Sequence, residues 1–204
     1  MITIVDYNMG NLGSIRNMLK KLGVEAQITA DPQVIAGANR LILPGVGAFD
    51  AGIDRLHSSG LIPVLNERVV QARVPTLGIC LGMQLMTRSS EEGRRAGLGW
   101  IDAQVLRFRP SQAAPKVPHM GWNQVNVVRA SPLIDELPDD ARFYFVHSYY
   151  VTCERSEDVL LQTSYGVRFD SAFERGNVWG AQFHPEKSHR FGMQLLRNFV
   201  ERCN

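Results

Sequence analysis

The sequence Pro75-Thr76-Leu77-Gly78-Ile79-Cys80-Leu81-Gly82 decides the fold of this chain. Residues 75–79 form a mainly apolar run, typical of a buried parallel strand, and a helical pattern begins after Cys80. A nucleophile elbow has this pattern, with a reactive side chain between two glycines at a sharp strand-to-helix turn. Open parallel sheets place their sites at the carboxyl edge, where such a turn lies. The segment therefore predicts an α/β fold with a reactive site at Cys80.

The residues before this segment alternate between strand and helix patterns. Strands are predicted at residues 2–5, 24–28 and 40–43. A helix capped by Asn11 is predicted to end at Gly23, and a second helix opens at Asp31-Pro32. The helix after Cys80 is predicted to cover residues 81–88. This alternation predicts an open, mostly parallel sheet with helices on both faces.

The second half of the chain changes character and predicts an added antiparallel, β-rich part. Its short strand patterns are residues 101–108, 123–128, 142–146, 159–163, 172–174 and 178–183. Arg175-Gly176-Asn177 is typical of a tight hairpin between the last two. A final helix from about His189 is expected to pack back onto the sheet. The segment Pro110–Pro118 is interpreted as a loop and is assigned no role.

The composition is that of an ordinary globular protein and predicts one domain over residues 1–204. The net charge is +2 and no basic stripe is present, so neither nucleic acid nor a membrane surface is expected as a partner. The sequence contains no apolar stretch of membrane-spanning length, and Asp6 interrupts the first apolar run, which argues against a signal peptide. The three cysteines are widely spaced, so we expect no disulfide framework, no metal, no cofactor and a reducing cytoplasmic location.

Cys80 is interpreted as a nucleophile because of its position in the elbow. The start of a helix favours the thiolate, which is the reactive form of cysteine. The backbone amide of Leu81 can stabilise an oxyanion at the same place. A small buried apolar residue is the alternative interpretation, and we apply it to Cys153 and Cys203, which lack such a context.

His184-Pro185-Glu186 supplies a candidate base and its orienting carboxylate. Proline biases the residue before it toward extended backbone, in which side chains two positions apart project to one side. Cys80, His184 and Glu186 would then form a catalytic triad. Two other interpretations remain open, a core histidine and a metal site that adds His189, although the spacing matches no familiar metal motif. His147 is a competing base, more consistent with a pocket-lining residue because no Pro-Glu pair follows it.

With these residues, the chain resembles the class I, triad-type glutamine amidotransferases. More narrowly, it resembles the glutaminase subunits of imidazole glycerol phosphate synthases, which act in histidine biosynthesis. The blocks that carry the resemblance are residues 6–11, 43–49, 78–84, 117–123, 145–150 and 182–188. Residues 8–11 and 119–123 indicate the narrower group, as does Met83, where many relatives carry histidine.

The resemblance implies a flavodoxin-like fold and a glutaminase mechanism. Cys80 would attack the side-chain amide of glutamine, His184 would transfer protons and Glu186 would orient His184. The amide of Val46 would be the second oxyanion donor. The implied substrate-binding residues are Gly47, Gln84, His147, Ser148 and Tyr149. From the residues themselves, Gly45 and Gly47 equally fit a plain tight turn, and a phosphate-binding loop is a weaker alternative because no known phosphate motif is present.

The resemblance also implies a partner. Ammonia is a nucleophile when it is neutral and kept from bulk water, which is a physical reason for the hydrolase to dock on the enzyme that consumes ammonia. In the family this partner is a (β/α)8-barrel cyclase, which makes imidazole glycerol phosphate and aminoimidazole carboxamide ribonucleotide. The positions that match its interface are Asn8, Asn11, Met120, Trp122, Asn123 and Lys187. We expect Trp122 to be an exposed loop anchor, although a core position is the alternative.

Three other functions remain open on the sequence. A free-standing cysteine hydrolase, such as a peptidase or a γ-glutamyl hydrolase, could use the same triad without a partner. A glutaminase of another synthase, such as anthranilate or pyridoxal-phosphate synthase, would share the elbow without a reason to carry residues 119–123. A non-catalytic flavodoxin-like module would need no triad.

Overall fold

The computed structural model describes residues 2–110 and 116–203. Most of the predicted loop Pro110–Pro118, namely residues 111–115, lies outside the described residues. The helices are α1 (Leu12–Lys21), α2 (Pro32–Ala36), α3 (Phe49–Ser58), α4 (Ile62–Asn66), which continues into a π-helical turn at Glu67–Gln71, α5 (Leu81–Leu85) and α6 (His189–Glu201). The strands are β1 (Ile2–Val5), β2 (Ala26–Thr29), β3 (Leu41–Gly45), β4 (Thr76–Cys80), β5 (Ser89–Ser90), β6 (Ala103–Arg107), β7 (His119–Gln124), β8 (Asn126–Val127), β9 (Arg142–His147), β10 (Tyr149–Cys153), β11 (Val159–Tyr165), β12 (Val167–Arg175) and β13 (Val178–Ala181).

A large sheet runs through the protein in the order β2-β1-β3-β4-β13-β12-β10-β6-β5, with β11 and β8 extending from β12. The neighbours from β2 to β13 are parallel, whereas β12 pairs antiparallel with β13, β10 and β11. Strands β7 and β9 form a separate antiparallel pair. The predicted open, mostly parallel sheet with an added antiparallel part is confirmed.

The core lies on both faces of this sheet because its central strands are apolar on both sides. All residues of β1, β3 and β4 are buried. Helices α1 and α6 cover one face, where Leu19 and Phe199 belong to one apolar cluster. Helices α3 and α4 cover the other, where Phe49 and Leu65 belong to a second cluster. None of the helices in the described residues is long and apolar enough to cross a membrane.

Several local predictions are confirmed by their hydrogen bonds. The Asp31 side chain accepts a bond from the Gln33 amide and caps α2. Arg175 pairs with Val178 across a two-residue turn, in which Gly176 has a φ of 59°. Gly23, just after α1, also has a positive φ, of 76°. These are the places where a local turn required a small residue or a polar cap.

Two local predictions are wrong. The helix after Cys80 ends at Leu85 rather than at residue 88, because the Thr87 hydroxyl donates to the Gln84 carbonyl and the chain turns into β5. Asn11 precedes α1, but its side chain caps no backbone amide and instead accepts a hydrogen bond from the Ser14 hydroxyl.

The second half contains more strand than the pattern predicts. The predicted strand at residues 123–128 is two strands, β7 and β8, and the hairpin strand before residue 175 begins at Val167 rather than at residue 172. Strand β10 has no counterpart among the predictions. In β12 the polar Asp170 and Ser171 are buried and hydrogen-bonded, so the strand lacks the simple alternation of apolar and polar residues.

Candidate active site

Cys80 occupies the turn between β4 and α5, and its backbone has φ 53° and ψ −110°. This region is unfavourable for a residue with a side chain, so the surrounding structure must hold Cys80 there. The flanking glycines allow this sharp turn, because any side chain at their positions would collide with neighbouring atoms. A Cβ atom on Gly82 would lie 1.7 Å from the Leu43 carbonyl oxygen, and one on Gly78 would lie 2.8 Å from the Met83 amide nitrogen. The glycines of the predicted elbow are therefore required by close backbone approach.

Strand β13 brings His184 to Cys80. It runs parallel to β4, with Ala181 opposite Ile79, so both chains reach the carboxyl edge of the sheet together. His184 follows with extended backbone, and a 3-10 turn, Pro185–Lys187, begins at the next residue. The His184 Nδ1 atom lies 2.8 Å from Glu186 Oε1, and the two side chains are 3% and 2% exposed. The sequence-based pairing of imidazole and carboxylate therefore corresponds to a direct contact.

The charge environment favours a protonated His184. Burial of the ring opposes protonation, but the interactions with the Cys80 thiol and the Glu186 carboxylate outweigh burial and raise the pKa of His184 to about 10. With Nδ1 bonded to Glu186, the Nε2 atom is the one that faces Cys80. Among the described residues, Nε2 has no partner with standard hydrogen-bond geometry. Nε2 is therefore placed to hold, on a stabilised imidazolium, the proton that the Cys80 thiol gives up.

The backbone of His184 is clamped from both sides. Its amide donates to the Tyr144 carbonyl over 2.9 Å. Its carbonyl accepts from the Ser188 hydroxyl over 2.6 Å, and the same hydroxyl oxygen accepts from the Tyr144 amide over 3.0 Å. Ser188 is fully buried. The sequence predicted no role for Ser188, because its hydrogen bond joins it to Tyr144 on β9, which is distant along the chain, and no local sequence pattern indicates such a bond.

His147, the competing base, has both ring nitrogens engaged. Nδ1 lies 2.7 Å from the Tyr149 carbonyl oxygen and Nε2 lies 2.9 Å from His119 Nδ1. Burial lowers the pKa of His147 to about 3. A neutral ring with two fixed hydrogen bonds is unsuited to taking a proton from Cys80, so the geometry favours His184 as the base.

A cleft of about 360 Å³ opens over Cys80. It is lined by Val46, Gly47, Cys80, Leu81, Gln84, Glu92, Pro118, Val146, His147, Ser148, Tyr149, His184 and Lys187. The structure thus brings together in one cleft the predicted nucleophile, base, oxyanion-hole and substrate-binding residues. Glu186 lies behind His184.

Glu92 is a cleft residue that sequence reasoning missed. One of its carboxylate oxygens accepts a hydrogen bond from the Phe49 amide over 2.8 Å, and burial raises the pKa of this carboxyl. Glu92 lies after β5, in a segment outside every recognised block, so no local pattern distinguished it from an ordinary surface glutamate.

Tyr7 anchors the glycine-containing loop that carries Val46. Its hydroxyl, fully buried with the ring, donates to the Pro44 carbonyl over 2.6 Å. A Cβ atom on Gly45 would lie 2.3 Å from the tyrosine oxygen. Tyr7 therefore ties the end of β3 to the end of β1. The tyrosine stands in one of the blocks that carry the family resemblance, but the sequence assigned it no role of its own.

Three of the proposed partner-facing residues lie on β7, and they project to two different faces of that strand. Met120 and Trp122 are 61% and 44% exposed and share one face of the strand. Asn123 projects to the opposite face, where its side chain donates to the Ser164 carbonyl. Trp122 stacks on the His189 ring with centroids 5.5 Å apart. The expectation of a loop position for Trp122 is wrong, because residues 119–124 pair in register with β9.

The other proposed partner-facing residues lie at the same edge of the sheet as Cys80. Asn8 and Asn11 are exposed after the carboxyl end of β1. Lys187 lines the cleft and places its ammonium group 5.6 Å from the centre of the Tyr144 ring. Within the described residues there is no group of three or more side chains placed to hold a metal ion, and His189 stacks on Trp122 instead of joining His184.

A cysteine on a sharp strand-to-helix turn, facing a buried His-Glu pair at the carboxyl edge of a parallel sheet, is the arrangement expected of the triad-type glutamine amidotransferases. Two solved structures support this fold. A glutamine amidotransferase crystal structure matches with a TM-score of 0.77, 20% identity and 98% coverage of both chains. A second glutamine amidotransferase, from Thermotoga maritima, matches with a TM-score of 0.66 and 18% identity, covering 99% of this chain and 96% of that one.

Sequence comparison identifies the family to which this chain belongs within that class. Residues 3–203 match the family described as "Glutamine amidotransferase class-I". "Imidazole glycerol phosphate synthase subunit HisH 2" of Methanococcus maripaludis is 54% identical over the full length of both chains. The Pseudomonas aeruginosa protein of the same name is 51% identical over 98% of this chain and 99% of its own. The chain therefore belongs to the HisH family of imidazole glycerol phosphate synthase subunits, within the class I glutamine amidotransferases.

Proposed function

We propose that this chain is the glutaminase subunit of an imidazole glycerol phosphate synthase and hydrolyses L-glutamine to glutamate and ammonia. The observation that carries the proposal is the buried His184–Glu186 contact of 2.8 Å, which faces a cysteine on an elbow inside a cleft. The proposal also rests on membership of the HisH family and on the geometry of His147, which does not suit a competing base.

In the proposed first half-reaction, Cys80 attacks the side-chain amide carbon of glutamine. His184 accepts the thiol proton, and Glu186 holds the ring and stabilises the imidazolium. The carbonyl oxygen becomes an oxyanion, for which the Leu81 and Val46 amides are the proposed donors. The carbon–nitrogen bond then breaks as His184 returns its proton to the leaving nitrogen. Ammonia departs and a glutamyl thioester remains on Cys80.

In the second half-reaction, a water molecule attacks the thioester. His184 now accepts a proton from the water, and the same two amides are the proposed oxyanion donors. The carbon–sulfur bond breaks, the proton passes back to the Cys80 sulfur and glutamate leaves. The atoms balance as glutamine plus water giving glutamate plus ammonia.

Glutamine recognition requires groups for a zwitterionic amino acid. Glu92 supplies the acidic side chain of the cleft, and we propose that it binds the α-ammonium group of the substrate. Gln84 and the segment from His147 to Tyr149 line the same cleft and are the proposed partners of the remaining polar atoms. These polar groups would fix the orientation of the substrate so that its side-chain amide lies at Cys80.

The proposal includes a (β/α)8-barrel cyclase as partner, which uses the ammonia to make imidazole glycerol phosphate and aminoimidazole carboxamide ribonucleotide. The proposed contact surface consists of Asn8, Asn11, Met120, Trp122 and Lys187, whereas Asn123 projects to the opposite face of β7 and is left out of it. Its support is the exposure of Met120 and Trp122 and the position of Asn8 and Asn11 at the edge that holds the cleft. A cytoplasmic location belongs to the same proposal, because a reducing compartment keeps Cys80 as a free thiol.

The test is a glutaminase assay with and without the cyclase. We expect glutamate release by the complex, and we expect Cys80→Ser to abolish glutamine-dependent synthesis while synthesis from added ammonia survives. A glutamine-analogue electrophile should label Cys80, and the matched residues Cys153 and Cys203 serve as internal controls. Labelling mainly at Cys153 or Cys203, mapped by mass spectrometry, would refute the assignment of the nucleophile.

A further inference from the structure

A network of buried and part-buried hydrogen bonds meets at the backbone carbonyl of Tyr149, and the triad mechanism uses none of its bonds. One arm starts at Gln84, whose Nε2 donates to the Tyr149 carbonyl over 3.1 Å and to Gln182 Oε1 over 2.9 Å. Gln182 Nε2 in turn lies 3.8 Å from the Cys80 sulfur. This arm therefore connects the Tyr149 carbonyl to the nucleophile through two side-chain amides.

The second arm runs away from the cleft through two histidines. His147 Nδ1 lies 2.7 Å from the Tyr149 carbonyl oxygen, and His147 Nε2 lies 2.9 Å from His119 Nδ1. His119 Nε2 lies 3.1 Å from the Asn123 side-chain nitrogen. We refer to Asn123, His119, His147, Gln84 and Gln182, with the Tyr149 carbonyl, as the Tyr149 network.

The direction of every bond in this network follows from one fact, namely that a carbonyl oxygen can only accept. In the first arm, Gln84 must turn its NH2 group toward Tyr149, and the second N–H of that group then donates to Gln182. Gln182 accepts with its oxygen and so turns its own NH2 group toward Cys80. The Cys80 sulfur therefore receives a donor, which stabilises negative charge on it.

The same rule orders the histidine arm. His147 must carry a proton on Nδ1 to donate to Tyr149, which leaves Nε2 as an acceptor. His119 then donates from Nδ1 and accepts on Nε2 from the Asn123 amide. Both rings must be neutral for this order to hold, and burial lowers the pKa of His119 to about 4 and that of His147 to about 3.

We propose that His119 and His147 are positioning residues for glutamine cleavage, which hold the Tyr149 carbonyl so that Gln84 and Gln182 keep their orientation toward the cleft and the Cys80 sulfur. This inference rests on the proposed glutaminase function. It assigns a role to His119, which lies on β7 outside the cleft lining, and to the inward face of that strand. A satisfied buried network of this kind also rigidifies the wall of the cleft.

The first test separates hydrogen bonding at His119 from packing. The His119 ring stacks on Tyr165 at 4.1 Å and on Phe145 at 4.8 Å between centroids. His119→Phe keeps a ring in this stack and removes both nitrogens. His119→Asn gives up the ring but retains an N–H donor close to the position of Nδ1. Asn126→Ala is the control, since Asn126 is an exposed residue of β8 whose amide donates to the Gln162 carbonyl.

Glutaminase kinetics are measured on the chain bound to its cyclase, with KM and kcat determined separately. We expect His119→Phe to raise KM for glutamine by roughly three- to tenfold, the range for losing one hydrogen bond, with a smaller change in kcat. His119→Asn should return KM to within about twofold of wild type, and Asn126→Ala should match wild type. Equal impairment by both His119 variants would assign the ring to packing and overturn the inference.

The outcomes distinguish this inference from the proposed function. A wild-type complex that releases no glutamate overturns both. An active wild-type complex with an unchanged KM in His119→Phe overturns this inference and leaves the glutaminase function standing.

A second measurement needs no variant and therefore holds even if His119→Phe fails to fold. Nitrogen-15 spectra of the imidazole rings of the wild-type chain near pH 7 report which nitrogen carries the proton. The network requires the neutral Nδ1–H form for both His119 and His147. A proton on Nε2 of His147 in place of Nδ1 would remove the histidine donor from the Tyr149 carbonyl, leaving only Gln84, and would overturn the inference.

Discussion

At the scale of single residues, the contrast between His184 and His147 shows how environment assigns chemistry to identical side chains. Both are buried within the same cleft. Burial acts to lower the pKa of both rings, but the nearby Cys80 sulfur and the Glu186 carboxylate outweigh burial and raise the pKa of His184, whereas burial prevails at His147 and lowers its pKa. One ring is prepared to accept a proton and the other to remain neutral.

This contrast predicts different kinetic defects. His184→Ala should lower kcat by several orders of magnitude, because positioned proton transfer typically contributes about 10²–10⁴-fold and the thiol also loses its base. His147→Ala should act mainly on KM, because it removes a bond to the Tyr149 carbonyl. Steady-state glutaminase kinetics of both variants decide the point. A kcat defect in His147→Ala as large as that of His184→Ala would mean that the base is wrongly assigned.

The two buried neutral histidines also predict how stability depends on pH. The folded-state pKa values of His119 and His147, about 4 and about 3, lie below the ordinary value of 6.5. The unfolded chain therefore binds more protons than the folded chain between these values. Their contribution to stability is complete above pH 6.5 and is lost as pH falls from 6.5 toward 4 and 3.

Urea unfolding between pH 7 and pH 4.5 measures this loss. At full slope each histidine removes about 1.4 kcal/mol of unfolding free energy per pH unit. His119→Phe lacks one of the two groups and should show a shallower decline than wild type, with carboxylates titrating equally in both proteins. Parallel curves for the two proteins would contradict the depressed pKa of His119.

At the scale of elements, the turn from β4 to α5 depends on contact between backbones. Gly82 passes so close to β3 that a Cβ atom would lie 1.7 Å from the Leu43 carbonyl oxygen. A carbonyl in the middle of a buried sheet has no room to move, because protein interiors are close-packed. The elbow and β3 therefore form one unit, and the same strand end leads into the loop that carries Val46.

Gly82→Ala should therefore disrupt the site. We expect destabilisation of at least ~1–3 kcal/mol, the typical cost of overpacking, together with loss of Cys80 labelling. Gly13→Ala in α1 is the matched control, because a Cβ atom there has no neighbour within 4 Å. Gly13 is the second residue of α1, so that change should be neutral or stabilising, by at most the roughly 0.5–1 kcal/mol of a helix-interior position. Thermal melts and labelling of both variants make the comparison, and a Gly82→Ala protein with wild-type stability would refute the argument.

At the scale of the whole molecule, the two edges of the parallel sheet differ in what they expose. The carboxyl edge holds the cleft, and β7 exposes Met120 and Trp122. The opposite edge, where β4 and β13 begin, carries Val70, which is 56% exposed. Exposed tryptophan is among the residue types most enriched at interface hot spots, so we expect the cyclase to dock at the edge that holds the cleft.

Trp122→Ala should therefore weaken binding of the cyclase by more than about tenfold, the equivalent of ~1.4 kcal/mol. Glutamine-dependent synthesis should fall with it, and ammonia-dependent synthesis should be spared. Val70→Ala provides the matched control at the opposite edge. Calorimetric titration of both variants tests the prediction, with melting curves as the folding control. An unchanged affinity would exclude Trp122 from the interface.

Local sequence patterns were sufficient to predict the elements that are determined by residues close together in the chain. The apolar run before Cys80, the flanking glycines and Asp31-Pro32 predicted β4, the turn at Cys80 and the start of α2, because each of these depends on neighbouring residues. His184-Pro185-Glu186 could be paired from sequence for the same reason, since extended backbone places side chains two residues apart on one side. The sequence by itself thus determined the α/β class, the elbow and the His-Glu contact.

The tertiary structure decided what depends on contacts distant along the chain. Ser188 clamps His184 through bonds to Tyr144, 44 residues away, and Gln182 approaches Cys80, 102 residues away. Asn123 could be recognised from its block, but its inward orientation follows from pairing with β9 and from the bond to Ser164. The physical reason is that a hydrogen bond between distant segments leaves no periodicity in the sequence, so folding must bring its partners together before their roles become visible.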